Sequence, residues 1–237
     1  MSPLTEPTRL TLAKGQPVPN DPNFAFNSLL LHGNGANGST VITDSSGSPK
    51  TVTPFGNAQI STAQSKFGGS SIAFDGTGDY LIAPAGDAFN FGTLPFTIEC
   101  WVWRKAGIVA NQTIFSQRTA TSGVTFLIGT SDSIRAFFGA GFGAVTSPIA
   151  VPAEAFAHVA LTYPGFGGAF TLWMNGQNVA SSSPFGHVFE DNVAPFIGAR
   201  PTTTENLNGY IDDLRITKGV ARYTSNFTPP TAPFPDF

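Results

Sequence analysis

The chain is divided into about a dozen short apolar segments. From Ser28 onward, apolar runs of four to eight residues recur, each bounded by Gly, Asn, Ser or Pro; examples are SLLLHG, SSIAFDG, FTIECWVWR and GYIDDLRIT. Strand-length segments separated by turn residues, without helical periodicity, predict an all-β sandwich or barrel. For a chain of 237 residues, a single large domain of this class is the simplest interpretation.

Composition excludes several classes of partner. Charged residues make up 11% of the chain, so Ser, Thr, Asn, Gly and Gln must form most of the surface. The formal net charge is -3, and no Lys/Arg cluster is longer than Arg104-Lys105, which argues against nucleic acid and anionic lipid as partners. Neither a signal peptide nor an apolar stretch long enough to span a bilayer is evident.

The first 27 residues differ from the rest of the chain. They are weakly apolar and carry five prolines, at positions 3, 7, 17, 19 and 22. Because proline breaks helices and disrupts central strands, residues 1–27 are predicted to be an extended arm outside the core. Residues 28–237 are then the sandwich domain, which ends in a Pro-rich tail.

Strict alternation in FTIECWVW separates two faces of one strand. One face, interpreted as core, carries Phe96, Ile98, Cys100 and Val102; the other carries Thr97, Glu99, Trp101 and Trp103. The buried Cys100 is the only cysteine, so the fold does not depend on a disulfide. Asn175-Gly176, between alternating apolar flanks, predicts a two-residue β-hairpin turn.

Several of these segments resemble a known family. SSIAFDGTGDYL, FTIECWVW, FAHVALTY, TLWMNGQNVA and LNGYIDDLRITKGVARY resemble, in chain order, successive strands of the laminin-G-like branch of the concanavalin A-like lectin and glucanase superfamily. The resemblance covers about Ser28 to Pro230. It implies a two-sheet antiparallel β-sandwich, a jelly roll, whose termini lie close together.

The closing motif carries a second resemblance. RITKGVARYTSNFTPP is similar to laminin-G-like domains of bacteriophage virion proteins. This resemblance implies a location on the virion, in the capsid or the tail, for a protein made in the host cytoplasm. It also suggests that residues 1–27 bind other virion proteins, that the protein forms homo-oligomers on the particle, and that its partner outside the particle is a host-surface glycan.

Catalysis is not favoured by the acidic residues. Glycosidases of this fold need two carboxylates on one side of a cleft, about 5–5.5 Å apart in retaining enzymes. Asp212 and Asp213 are adjacent in a predicted strand and should therefore point to opposite faces. No catalytic residue is predicted, and His158 is expected to be hydrogen-bonded within the sheet.

Two kinds of binding site remain open. Calcium takes oxygen ligands, and the family resemblance implies a calcium ion at the rim of the sandwich, held by Asp75, Asp79 and Asp213, with Asp44 and Asp212 as further carboxylates. Alternatively, each Asp caps a turn through its own backbone. A sugar site would need an exposed aromatic platform beside polar side chains, and the candidates are Trp101, Trp103 and Trp173, with Tyr80 and Tyr210 near Asp-containing turns.

Three functions follow from these observations. The leading hypothesis is a non-enzymatic virion structural protein, a capsid decoration or tail-fibre component, that displays a laminin-G-like, carbohydrate-binding domain. The second is a free carbohydrate-binding lectin. The third is a glycoside hydrolase or lyase.

Overall fold

The computed structural model describes residues 20–119, 122–139, 143–189, 192–202 and 204–237. In these ranges two short 3₁₀ helices, Phe24–Phe26 and Asp87–Phe89, accompany fifteen strands. The strands are β1 Asn27–Leu31, β2 Thr53–Phe55, β3 Gln59–Ser61, β4 Ser71–Asp75, β5 Tyr80–Ile82, β6 Phe96–Arg104, β7 Gln112–Arg118, β8 Gly123–Ile128, β9 Ser133–Phe138, β10 Ala144–Ala150, β11 Phe156–Tyr163, β12 Thr171–Met174, β13 Gln177–Ser181, β14 Phe196–Ile197 and β15 Asn208–Lys218. No helix in the described ranges is long and apolar enough to cross a membrane.

The strands form two antiparallel sheets that pack face to face. The larger sheet has the order β13-β12-β11-β6-β15-β4-β3, with β1 also paired to β15. The smaller sheet has the order β10-β9-β8-β7-β14-β5-β2. The predicted all-β, two-sheet sandwich of the concanavalin A type is therefore confirmed.

The core lies between the two sheets. The inward residues of β6 are the four predicted from alternation, Phe96, Ile98, Cys100 and Val102, and all are fully buried. Around Phe96 the core is aromatic, because its ring contacts Phe91, Tyr163, Phe170 and Phe189 at centroid distances of 4.3–5.7 Å. This tight aromatic packing supplies much of the apolar area that stabilises a fold with few charges.

Strand β15 organises the larger sheet and contains a β-bulge. Its first half pairs with β4 and its second half with β1, while β6 runs along its other edge. The register shifts between Asp212 and Arg215, and Asp213 has a φ of 51°. Strict alternation would place Asp213 in the apolar core, whereas the bulge absorbs this extra residue and returns Leu214 and Ile216 to the core. The prediction that Asp212 and Asp213 point to opposite faces was therefore wrong.

The outer face of the larger sheet, opposite the core, is mostly covered. Residues 219–237, here called the strap, cross this face after β15. Arg222 N–H donates to Thr97 Oγ1, Tyr223 O–H donates to Glu99 Oε2, and Phe227 N–H donates to the Gly176 carbonyl in the predicted hairpin. The strap explains why Thr97 and Glu99, which alternation located on the outer face, are buried.

Part of the predicted arm contacts the sandwich. Residues 1–19 of the predicted arm lie outside the described residues, but the segment from 20 to 27 packs on the domain. Asp21 is buried and binds Arg222 and Arg215, and its N–H donates to the Phe237 carbonyl at 3.2 Å. The start of the described chain therefore lies next to its end, as the resemblance implied, and the segment from 20 to 27 is in contact with the sandwich.

Candidate functional site

One part of the outer face remains open and forms a groove. Two rows of residues line the groove. Within each row, the residues are neighbours across adjacent strands of the larger sheet. The first row runs across β6, β15, β4 and β3, through Trp103, Tyr210, Ala73 and Gln59. The second row, one pleat further along, consists of Lys105, Asn208, Asp75 and Asn57. These residues, with Phe74, Asp79 and Gly209, enclose a volume of 570 Å³.

The groove combines an aromatic wall with polar groups. The rings of Trp103 and Tyr210 are half-buried and meet edge to face, with centroids 5.2 Å apart at 80°. Ala73, between Tyr210 and Gln59 in the first row, has a small side chain and so makes the floor of the groove concave. A concave site with an aromatic wall and a few amide and charged groups is typical of small-ligand sites.

A turn holds one end of the groove in place. The buried Asp79 carboxylate accepts hydrogen bonds from the backbone N–H of Asn57 at 2.5 Å and of Asp75 at 2.8 Å. Gly56, with a φ of 68°, allows the preceding turn to close over this carboxylate, since a Cβ there would collide with it. Burial raises the pKa of Asp79, the two N–H donors oppose that shift, and the nearby Asp75 adds to it. Asp79 therefore fixes the backbone of Asn57 and Asp75, which line this end of the groove.

Asp75 lies at the surface of the groove. Its Oδ1 accepts the Thr77 N–H at 2.7 Å, a turn-capping bond, and its Oδ2 accepts the Asn57 side-chain amide at 3.0 Å. The carboxylate thereby orients Asn57, so that amide and carboxylate oxygens line the groove together. Both oxygens retain unused lone pairs that could accept from a ligand hydroxyl.

Two of the three tryptophans of the predicted aromatic platform are covered, one by the strap and one by the loop that contains Lys66. Trp173 is 2% exposed, donates its indole N–H to Thr162 Oγ1 and packs against Tyr223 and Phe227 of the strap. Trp101 is 5% exposed and lies beneath Lys66, whose Nζ is 3.9 Å from the ring centroid. Trp173 and Trp101 are therefore not accessible at the surface. Of the three predicted tryptophans, Trp103 alone lines the groove.

The three carboxylates proposed for calcium are not brought together. Asp75 and Asp79 share one turn, but Asp213 lies at the bulge, where it pairs with His32 Nδ1 at 2.5 Å and accepts the Phe234 N–H at 2.7 Å. Within the described ranges, no group of three or more His, Cys, Asp or Glu side chains is arranged to hold a metal ion. These residues do not fit the predicted calcium site, and calcium binding by the chain stays a prediction.

The remaining candidate carboxylates cap loops. Asp44 accepts the backbone N–H groups of Leu30, Ser46 and Lys50 at 2.8–3.0 Å. Asp212, also fully buried, accepts the N–H groups of Lys66 and Phe67. The Ser46 bond of Asp44 matches the turn-capping alternative, whereas Asp212 caps a loop that is distant in sequence. Arg215, the cation nearest to Asp212 in sequence, is paired elsewhere.

A buried ionic network lies beneath the strap. Arg215 donates to Glu99 Oε1 through Nη2 at 2.7 Å and Nε at 2.9 Å, while its Nη1 reaches Asp21 at 3.2 Å. His158 Nε2 lies 3.2 Å from Glu99 Oε2, as expected for a sheet-bonded histidine. Burial would raise the pKa of Glu99, but Arg215, His158 and Arg222 outweigh it and hold that pKa well below its usual range. The network is an internal structural element, since Glu99 is fully buried.

We expect Asp212→Asn to stabilise the protein at pH 8 and to have little effect at pH 4. Burial raises the pKa of Asp212 to about 6, against opposing hydrogen bonds from the Phe67 and Lys66 N–H groups. A raised carboxyl pKa means that stability is full below about pH 4 and falls as pH rises through 6, by up to about 3 kcal/mol for a shift of this size. Urea denaturation at both pH values measures the difference.

The matched control for Asp212→Asn is Asp87→Asn, because the Asp87 side chain is 94% exposed. The control should change stability equally little at both pH values. Some dependence on pH will remain in both variants, since Asp213 raises the pKa of His32 despite its burial. Equal effects of Asp212→Asn at pH 4 and pH 8 would contradict the assignment of a buried, ionised Asp212.

The fold and a match to a family model together show the family to which the chain belongs. Residues 75–222 match Laminin_G_3, of the Concanavalin A-like lectin/glucanases superfamily. This match covers more than half of the chain and includes most of the larger sheet. The chain therefore belongs to this laminin-G-like family, as its strand motifs predicted. A search of curated proteins gave no match.

Solved structures share the fold at low sequence identity. The receptor-binding domain of botulinum neurotoxin C/D mosaic serotype has a TM-score of 0.62 and 14% identity over 83% of this chain and 49% of its own. The binding domain of Paraclostridial Mosquitocidal Protein 1 has a TM-score of 0.63 and 16% identity over 83% and 50%. Domain 4 of AbnA, an extracellular GH43 arabinanase from Geobacillus stearothermophilus, in complex with arabinotriose, has a TM-score of 0.60 and 18% identity over 81% and 92%.

The coverage differs between these structures. The chain spans about half the length of the two toxin binding domains but matches nearly all of the arabinanase domain. At these identities the likeness shows the fold, which is the lectin-type sandwich.

Four polar residues of the groove were not predicted from the sequence: Asn57, Gln59, Lys105 and Asn208. Alternation does place Lys105 on the face of Trp103, and Asn208 on that of Tyr210. Joining these two pairs requires the register between β6 and β15, which shifts at the bulge and is not visible in the sequence.

Proposed function

We propose that this chain is a non-catalytic glycan-binding domain and that its ligand occupies the groove. The observation that carries this proposal is the half-buried pair of Trp103 and Tyr210, which lines the open groove beside a row of amide and carboxylate groups. A pyranose or furanose ring has an apolar face that packs on an aromatic ring and hydroxyl groups that bind amides and carboxylates. The arabinanase domain, solved in complex with arabinotriose, supports the same class of ligand for a domain of this fold.

The carboxylates of the groove support binding rather than hydrolysis. A glycosidase needs one carboxyl group as acid and a second as nucleophile or base. Asp79 is buried and accepts two backbone N–H groups, and Asp75 caps the turn and orients Asn57. The alternative of a glycoside hydrolase or lyase would be supported if the protein released reducing sugar from a polysaccharide panel and lost that activity on Asp75→Asn.

We expect Trp103→Ala to weaken glycan binding by about tenfold to a hundredfold, because the aromatic wall is the largest apolar contact in the groove. A glycan array that includes arabino-oligosaccharides and sialylated glycans would identify a ligand, and calorimetry with that ligand would measure the change. Phe166→Ala is the control, since this aromatic side chain is 62% exposed and lies outside the groove. Unchanged affinity in Trp103→Ala, or equal loss in the control, would place the ligand elsewhere.

The proposed setting is a bacteriophage virion, where the domain would act as a capsid decoration or tail-fibre component that binds host-surface glycan. Support comes from the resemblance of the closing motif, which forms the end of β15 and the strap. Residues 1–19 are the proposed anchor to other virion proteins, because residues 20–27 are engaged by the domain. Deleting residues 1–19 should leave a folded domain that no longer joins the particle, as judged by immunogold labelling; normal incorporation would contradict the anchor.

A further inference from the structure

Two arginines line a second cavity, on the smaller sheet. Arg118 ends β7 and Arg200 lies in the loop that follows β14; together with Thr119, Pro201 and Thr202 they enclose a volume of 240 Å³. The groove described above lies on the outer face of the larger sheet and shares no lining residue with this cavity. The two cavities are therefore separate sites.

Both guanidinium groups are held in place from one side. Arg118 Nη2 donates to the Gly139 carbonyl at 3.4 Å, and Arg200 Nη1 donates to Glu205 Oε1 at 3.0 Å. Glu205 is itself fixed, since the same oxygen accepts the Asn111 side-chain amide at 3.1 Å. Because a guanidinium has five N–H donors and the described residues accept from one of each, both arginines that line the cavity have further donors for a ligand.

Among the residues that the structure describes, positive charge exceeds negative charge at this cavity. Among the described residues Arg200 pairs with Glu205, whereas Arg118 has no carboxylate partner. By comparison, Arg104, Arg215 and Arg222 each pair with a buried or half-buried carboxylate. Partial burial lowers the pKa of Arg118, and the neighbouring Arg200 lowers it further while Glu205 opposes the shift. An anion placed between the two arginines would relieve this repulsion.

We propose that the cavity of Arg118 and Arg200 is an anion-recognition site for the sulfate or carboxylate group of an acidic saccharide. Planar guanidinium donors match the oxygens of both groups and form charge-assisted hydrogen bonds with them. Pro201 supplies an apolar contact beside the charged pair, suited to a sugar ring rather than to a bare ion. The site is independent of the Trp103 groove and goes beyond the proposed function of that groove.

Titration of the ¹⁵N-labelled full chain with sodium sulfate and sodium glucuronate, at ionic strength matched with sodium chloride, tests the proposal by NMR. We expect saturable shifts of the Arg118 and Arg200 Nε–H signals and none at Arg135. Arg135 is the control because it lies on the same sheet, stacks on Phe137 and has no carboxylate partner among the described residues. Absence of saturable shifts, or equal shifts at Arg135, would overturn the proposal without requiring any variant to fold.

Variants then measure the contribution of each arginine. Arg118→Gln and Arg200→Gln should each weaken anion binding about tenfold through loss of a charge-assisted hydrogen bond, whereas Arg135→Gln should bind as the parent does. Unchanged affinity in both of the first two variants would contradict the site. A sulfated disaccharide without a carboxylate that binds more tightly than inorganic sulfate, with loss of binding after desulfation, supports a saccharide ligand; equal binding before and after desulfation contradicts it.

Discussion

Arg215→Met is expected to destabilise the domain by about 3–5 kcal/mol, the cost of leaving a buried carboxylate unpaired. Arg215 is 5% exposed and supplies two donors to Glu99, which is fully buried. Its removal leaves Glu99 with His158, Tyr223 and a more distant Arg222 at 3.9 Å. Guanidinium chloride denaturation followed by tryptophan fluorescence measures the change in the free energy of unfolding.

Two further variants separate this effect from general loss of packing. Arg135→Met removes a half-buried cation of the smaller sheet that has no carboxylate partner among the described residues, and it should cost less than about 1 kcal/mol. The double variant Glu99→Met with Arg215→Met should recover much of the lost stability, because it removes both charges from the buried site. A small effect of Arg215→Met, or a double variant less stable than the single one, would contradict a paired network beneath the strap.

Phe234→Ala is expected to destabilise the domain by about 3–4 kcal/mol, as for other large side chains truncated in a core. Phe234 is 4% exposed, its ring lies 3.7 Å from the Arg215 guanidinium carbon, and its N–H donates to Asp213. It therefore anchors the strap on the outer face. Phe237→Ala, three residues further on, is the control, because this side chain is 39% exposed.

The tryptophan fluorescence of Phe234→Ala should also report on Trp173, which the strap covers. If the strap loosens, Trp173 gains access to solvent, so its fluorescence should shift to longer wavelength and become easier to quench with iodide. Phe237→Ala should leave both properties unchanged. Equal stability of the two variants would show that Phe234 does not fasten the strap.

Much of the fold was predictable because it depends on local patterns. Turn residues between short apolar runs indicated the class, and alternation in β6 identified the core residues from Phe96 to Val102. The position of Asp213 was not predictable, because a bulge changes register by one residue without a strong local signal. The role of the strap was likewise hidden, since it depends on contacts between residues more than 120 positions apart, such as Tyr223 with Glu99.

The site was predictable only in part, for the same reason. Trp103, Tyr210, Asp75 and Asp79 were all singled out from the sequence, and the sheet brings them to one groove. Trp101 was indistinguishable from Trp103 in sequence because both lie on one face of β6, and only the loop containing Lys66 and Phe67 separates a covered ring from an open one. Burial by a distant segment thus decides which aromatic residues can meet a ligand.

The most direct measurement is a crystal structure of the full chain with the glycan that binds most tightly on the array. We predict a sugar ring packed on Trp103 and Tyr210, with hydroxyl groups within hydrogen-bond distance of Asp75, Asn57 or Asn208. A ligand bound only at the cavity of Arg118 and Arg200, or elsewhere on the surface, would contradict the assignment of the groove as the glycan-binding site.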